Sequence, residues 1–71
     1  MKSSYDLKTI AQAGGHLVVE ATPYSAYDLK TVAGALAPGA TLTVKKADKF
    51  TAYDCKVIAS AAPGRVIFDF S

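Results

Sequence analysis

The sequence predicts an α/β fold of three α-β repeats (αβαβαβ), with a three-stranded parallel sheet in order 1-2-3 and all helices on one face. One phrase recurs as SSYDLKTIAQAGG, SAYDLKTVAGALAPG and TAYDCKVIASAAPG. A short β-rich run follows each copy: HLVVEA, TLTVKKA and RVIFDFS. Such alternation predicts parallel strands joined by right-handed crossovers. The chain is therefore predicted to be one domain, 1–71, with repeats at about 3–21, 25–47 and 51–71.

Each helix is predicted to begin at a capping box. A serine or threonine stands three residues before an aspartate in every repeat. In this motif the hydroxyl accepts from the backbone N–H three residues on, and the acidic side chain accepts from the cap N–H. The predicted structural caps are Ser3 and Asp6, Ser25 and Asp28, and Thr51 and Asp54. The aromatic residues Tyr24 and Phe50 precede the second and third caps and are predicted to pack as hydrophobic staples.

An apolar stripe at helical spacing follows each cap and is predicted to face the sheet. Its members are Leu7, Ile10 and Ala11; Leu29, Val32, Ala33 and Leu36; and Cys55, Ile58, Ala59 and Ala62. The tyrosines at the second helical position are predicted to be partly buried against neighbouring loops; these are Tyr5, Tyr27 and Tyr53. Glycines follow the last periodic residues and predict where the helices end.

Alternation along the strands predicts two faces of the sheet. One face points toward the helices and carries Leu17, Val19, Leu42, Val44, Val66, Phe68 and Phe70. The outward positions form three rows when the strands are in register: an amino-end row His16–Thr41–Arg65, a middle row Val18–Thr43–Ile67 and a carboxyl-end row Glu20–Lys45–Asp69. The last row sets a lysine between two carboxylates, which favours this strand order and register.

The chain resembles the leucine-rich-repeat solenoids. It shares with them a short L-x-V strand, as in Leu17/Val19 and Leu42/Val44, followed by a turn and a helix. The strands match the family's strand leucines, but Ala21 and Ala47 stand where the family usually has asparagine, and the repeat here starts with a helix. The resemblance covers nearly all of the chain and implies a solenoid that binds partners on its sheet face.

The chain length and the single cysteine and histidine exclude several classes of protein. A chain of 71 residues is marginal unless packing, a metal, disulfides or self-association support it. One cysteine and one histidine provide neither an internal disulfide nor a structural zinc set. Cys55 takes the place of Leu7 and Leu29 and is predicted to be a small buried apolar residue, whereas His16 is predicted to be an exposed strand-end residue. With no nucleophile–base pair visible, we expect no enzyme and no cofactor.

The open face of the sheet carries the functional prediction, because parallel sheets are almost always covered on both faces. We expect a small non-enzymatic interaction module that self-associates, with a dimer favoured, or binds a protein partner. The predicted interaction face comprises Val18, Glu20, Thr43, Lys45, Arg65, Ile67 and Asp69. The edge strand Val66–Phe70 is the other candidate surface. A lone cysteine and the lack of a long apolar run predict a cytoplasmic protein without a membrane partner.

The alternative is a weak nucleic-acid or anion-binding protein that uses a row of lysines on the helices. The row consists of Lys8, Lys30 and Lys56, with Lys45, Lys46 and Lys49 as further cations. Each lysine of the row lies two residues from an aspartate, and the net charge is only +2. Nucleic-acid affinity needs several uncompensated cations, so this partner is less favoured.

Overall fold

A computed structural model of the chain describes residues 2–71 and confirms the predicted alternation of helices and strands. The elements are α1 (Ser4–Gln12), β1 (Leu17–Glu20), α2 (Ala26–Gly34), β2 (Leu42–Lys45), α3 (Ala52–Ala61) and β3 (Val66–Asp69). A short 3-10 turn, Ala47–Lys49, precedes α3. The strands form one parallel sheet in the order β1-β2-β3, as predicted.

The register of the sheet is the one that the rows of outward residues predicted. Val18 lies opposite Thr43, which lies opposite Ile67. Glu20, Lys45 and Asp69 are aligned in the same way. The residues of each of these rows are therefore neighbours on adjacent strands.

All three helices begin in the same way. The cap hydroxyl accepts from the backbone N–H of the aspartate at 3.1 Å in every repeat, and the aspartate carboxylate accepts from the cap N–H at 3.1–3.4 Å. The pairs are Ser3 and Asp6, Ser25 and Asp28, and Thr51 and Asp54. Each carboxylate also lies near the positive end of its helix, so it both satisfies a free donor and complements the helix dipole.

The core lies between the helices and the sheet and is centred on the second repeat. The largest fully buried side chains are Leu29, Leu42, Ile58, Val32 and Val44. All of these except Ile58 belong to the second repeat, because only α2 and β2 have a neighbouring element of their own kind on both sides.

Burial falls toward the first and third repeats, where the predicted burial of three side chains was wrong. Ile10 is 39% exposed and Phe70 is 54% exposed. Cys55 is half-buried rather than fully buried. The outer helices pack against one helix each, so their far flanks face solvent, and Phe70 lies just beyond the end of β3 and stacks on Phe68.

The loops at the carboxyl ends of the strands are tied to one another across the repeats. Tyr24 and Phe50, which precede α2 and α3, are buried. The Lys49 ammonium donates to the carbonyl of Tyr24 at 2.6 Å and to that of Thr22 at 3.0 Å. The Tyr24 hydroxyl donates in turn to the Lys2 carbonyl. The 3-10 turn thus holds the start of α2 and the start of α3 together.

The loops at the amino ends of the strands are tied as well. The Ala37 N–H donates to the Ala11 carbonyl at 3.1 Å. The Arg65 guanidinium donates to the carbonyls of Ala37 at 2.8 Å and Ala40 at 3.4 Å. Arg65, half-buried, therefore has a structural role in addition to its place on the sheet surface.

Candidate interaction surface

The open sheet face is the surface of the sheet that the helices leave uncovered. Six of the seven predicted interaction residues occupy outward positions on its strands: Val18, Glu20, Thr43, Lys45, Ile67 and Asp69. The seventh, Arg65, directly precedes β3. Their strand neighbours Leu17, Leu42 and Val44 are buried against the helices. Because side chains alternate along a strand, the predicted residues share the opposite face.

The middle row is the apolar part of this face. Val18 is 66% exposed and Ile67 is 54% exposed, with the half-buried Thr43 between them. Single exposed apolar residues are ordinary, but two in one row of a parallel sheet are not, since such sheets are normally covered on both faces.

The two outer rows of the face carry net charges of opposite sign. The carboxyl-end row has two carboxylates, Glu20 and Asp69, around Lys45. The amino-end row has Arg65 and the single histidine, His16. The face is therefore acidic toward one end of the strands and basic toward the other, with the apolar row in between.

Hydrogen bonds hold Asp69 in its charged form. Its carboxylate accepts from the Ser71 hydroxyl at 2.5 Å and from the Ser71 backbone N–H at 2.9 Å. These two bonds lower the pKa of Asp69 below its ordinary value, and Lys45 across the strand adds a smaller effect in the same direction. Asp69 thus presents a negative charge at neutral pH.

His16 is exposed, and its ring is oriented by Thr41, which directly precedes β2. Its Nδ1 accepts from the Thr41 backbone N–H at 3.0 Å and lies 3.1 Å from the Thr41 hydroxyl. A ring nitrogen that accepts from an amide carries no proton, so the neutral ring has its proton on Nε2. That N–H is a donor available to an acceptor outside the chain.

A groove lies beside β1 that the sequence did not predict. Its volume is about 560 Å³, and its walls include Lys2, Leu7, Val18 and Tyr24. The groove runs along the unpaired edge of the sheet, where β1 has a neighbour on one side only. Two of its lining residues, Val18 and Glu20, belong to the predicted interaction face.

The three tyrosines correct the prediction of partial burial. Tyr5, Tyr27 and Tyr53 are 74%, 73% and 70% exposed. Each lies two residues before the stripe position that faces the sheet, and two residues on an α-helix are about 200° apart. The tyrosines therefore point to the solvent side of the helices, near the lysine row. Lys30 and Lys56 are exposed, and with Tyr53 they line a groove of about 320 Å³ between α2 and α3.

Cys55 lies on α3. Burial and the neighbouring Asp54 carboxylate raise the pKa of the Cys55 thiol. Since the thiolate is the reactive form, this environment disfavours a nucleophilic cysteine.

No group of three or more histidine, cysteine, aspartate or glutamate side chains within 2–71 could hold a metal ion. None of the helices in those residues is long and apolar enough to cross a membrane.

Comparison of the chain with protein-family models, with curated proteins and with solved structures finds no significant match. The resemblance to leucine-rich repeats therefore stays a prediction from the strand and helix pattern.

Proposed function

We propose that this chain is a small non-enzymatic interaction module that self-associates, or binds a protein partner, through its open sheet face. The observation that carries the proposal is the exposure of Val18 and Ile67 in the middle row of a parallel sheet that has helices on one face only. Covering this row would remove apolar surface from water, which is the main driving force for association. A single cysteine fits a reducing compartment, so we place the module in the cytoplasm.

The charges favour the open sheet face over the strand edges. If β3 of one copy paired in register with β1 of the next, the carboxyl-end row would continue with Asp69 beside Glu20. Like charges directly opposite each other are destabilising, so the pattern opposes this end-to-end growth of the sheet.

The size of the chain limits the strength of the association. A standard interface takes about 800 Å² from each partner, which is about a fifth of the 4136 Å² surface of this chain. With only two exposed apolar side chains in the middle row, we expect a dissociation constant on the order of 10–100 µM.

Sedimentation and light scattering over a range of concentrations test the proposal. We expect reversible association of the wild-type chain, and its loss in Val18→Asp and Ile67→Asp. Tyr27→Asp is the matched control, since Tyr27 has a similar exposure on the helix side. A chain that stays monomeric up to about 1 mM contradicts self-association. Association that Tyr27→Asp abolishes and Val18→Asp leaves intact would move the interface to the helices.

The second candidate is binding of single-stranded nucleic acid by the helix side. The exposure of Tyr5, Tyr27 and Tyr53 near the lysine row favours it, because aromatic rings and cations together bind bases and phosphates. The aspartates of the capping boxes lie close by and oppose it. Lys49 is already used by the carbonyls of Thr22 and Tyr24.

A salt titration of binding to mixed single-stranded oligonucleotides separates the two candidates. Nucleic-acid binding predicts affinity that falls steeply with salt and is weakened by Lys30→Glu. Lys2→Glu is the control, since Lys2 is exposed but lies before α1 and outside the set of predicted contact lysines. Retention that does not depend on salt, or no retention, would exclude this second candidate.

A further inference from the structure

A two-fold dimer of the open sheet face can adopt only a few orientations. Stacked sheets align their strands within about 30° or cross them at about 90°. A two-fold interface uses the same patch on both copies, so its axis must lie between the two sheets. The charged rows can therefore be tested against each orientation in turn.

An axis along β2 makes the strands of the two copies run parallel. Each row then lies over the same row of the second copy, with the strand order reversed. Lys45 meets Lys45, and Glu20 meets Asp69. Both contacts set like charges together, which costs free energy in a partly desolvated interface.

A dimer in which the strands of the two copies cross at about 90° matches the charges no better. The axis then follows a diagonal of the face, through Glu20, Thr43 and Arg65 or through His16, Thr43 and Asp69. One arrangement sets Arg65 on Arg65 and the other sets Asp69 on Asp69. Each again places a full charge against its own counterpart.

An axis along the middle row makes the strands antiparallel and sets no like charges against each other. The carboxyl-end row of one copy then lies over the amino-end row of the other. Asp69 meets Arg65, Glu20 meets His16, and Lys45 meets the neutral Thr41. The Nε2–H of His16 is available to the carboxylate, since Nδ1 is occupied by the Thr41 amide. In the middle, Val18 packs on Val18 and Ile67 on Ile67.

We infer that the partner of the open sheet face is a second copy of this chain, packed face to face with antiparallel strands about an axis along Val18–Thr43–Ile67. The inference rests on the function proposed above and adds the identity and orientation of the partner. Apolar contact supplies the attraction in this dimer, and the opposed charges select the orientation.

Single cysteines on the open sheet face report the orientation directly. In a Cys55→Ala background, Val18→Cys places a thiol that meets its own counterpart only when the strands are antiparallel. Lys45→Cys is the matched probe, whose thiol meets its counterpart only when the strands are parallel. Both positions are exposed, so neither change disturbs the core. Lys30→Cys on the helix side gives the rate of random collision.

We expect mild oxidation to convert the Val18→Cys chain to a covalent dimer at least about tenfold faster than the Lys45→Cys or Lys30→Cys chains. Faster crosslinking by Lys45→Cys would establish the parallel arrangement and overturn the inference. Equal rates for all three chains would also overturn it.

Charge reversal provides an independent readout. Asp69→Arg sets an arginine against Arg65 of the second copy at two symmetry-related places, so we expect the dissociation constant to rise about tenfold or more. The double variant Asp69→Arg with Arg65→Glu reverses both charges of the pair and should restore the affinity of the dimer to within about threefold of wild type. A double variant weaker than Asp69→Arg alone would contradict the pairing.

Thermal unfolding of each charge variant is needed as a control. Arg65 donates to the carbonyls of Ala37 and Ala40, so Arg65→Glu alters the fold as well as the face. The cysteine experiment leaves Arg65 unchanged and decides the orientation if the charge variants unfold.

The outcomes separate this inference from the proposed function. Wild-type association that Val18→Asp abolishes, without faster crosslinking of Val18→Cys, keeps the open sheet face as the interface and rejects the antiparallel dimer. A wild-type chain without any association rejects both self-association and the dimer.

Discussion

Truncation of the same helix position in the three repeats tests whether the second repeat is the centre of the core. The position four residues after the cap is Leu7 in α1, Leu29 in α2 and Cys55 in α3. Leu29 is fully buried, Leu7 is 4% exposed and Cys55 is half-buried. The three substitutions Leu7→Ala, Leu29→Ala and Cys55→Ala therefore form an internal series in one protein.

The expected losses in the free energy of unfolding differ because the three sites differ in how far the space left by the side chain can be refilled. Leu29→Ala leaves a cavity closed on every side, so both the transfer and the cavity costs apply, at about 3–4 kcal/mol. Leu7 lines the groove beside β1, so water can fill the space and the loss falls to about 2 kcal/mol. Cys55→Ala removes one half-buried sulfur and should cost less than about 1 kcal/mol.

These losses are large for a chain of this length. A domain of 71 residues has a free energy of unfolding of about 4–11 kcal/mol. Leu29→Ala, at about 3–4 kcal/mol, should lower Tm by about 12–32 °C, since 1 kcal/mol corresponds to about 4–8 °C in a domain of this size. Urea titration and thermal melts at one fixed protein concentration provide the measurements, since association itself adds stability. Equal losses for Leu7→Ala and Leu29→Ala, or a larger loss for Cys55→Ala, would refute a core centred on the second repeat.

Three further outcomes follow from local geometry. Ser25→Ala removes the cap acceptor of α2 and should lower the free energy of unfolding by about 1 kcal/mol, whereas Ser25→Asp should largely preserve it; equal losses in the two urea titrations would contradict the cap. Gly39 has φ +85° with nothing within 4 Å of an added Cβ, so Gly39→Ala should cost about 1–2 kcal/mol through backbone strain alone and Gly39→Asn should cost less. The raised pKa of Cys55 shifts the pH profile of its alkylation to higher pH than that of a small-molecule thiol, and Asp54→Asn should shift it part of the way back. Because its pKa is raised, the Cys55 thiol holds its proton more tightly in the folded chain than in the unfolded chain. The protonated thiol therefore contributes to stability at neutral pH, and this contribution is lost as pH rises through the pKa of the folded state.

The local features of the fold were predictable because they depend on residues close together in the chain. A hydroxyl and a carboxylate three residues apart are enough to form a capping box. Alternation along each strand is enough to assign a residue such as Val18 to the outward face. Helix geometry could also have predicted the exposure of Tyr27, which stands two residues before the buried Leu29.

The candidate interaction surface was predictable as a set of residues. The rows of the open sheet face follow from aligning the repeats, and the observed register brings the same residues together. The sequence did not reveal that the Thr41 amide orients His16, or that Ser71 holds the charge of Asp69. Both contacts depend on the backbone path at the ends of the strands, which no spacing rule specifies.

The sequence by itself determined the repeat, the helix starts, the strand faces and the order of the sheet. Each of these depends on short spacings that every repeat contains. Only the tertiary structure decided how deeply each repeated position is buried, since Leu29 and Cys55 occupy equivalent places but have different neighbours. It also decided that Lys49 bonds to the carbonyls of Thr22 and Tyr24, more than twenty residues earlier. Burial and long-range hydrogen bonds depend on what surrounds a residue in space. Equivalent positions of the three repeats have different surroundings, because each repeat has a different place in the stack.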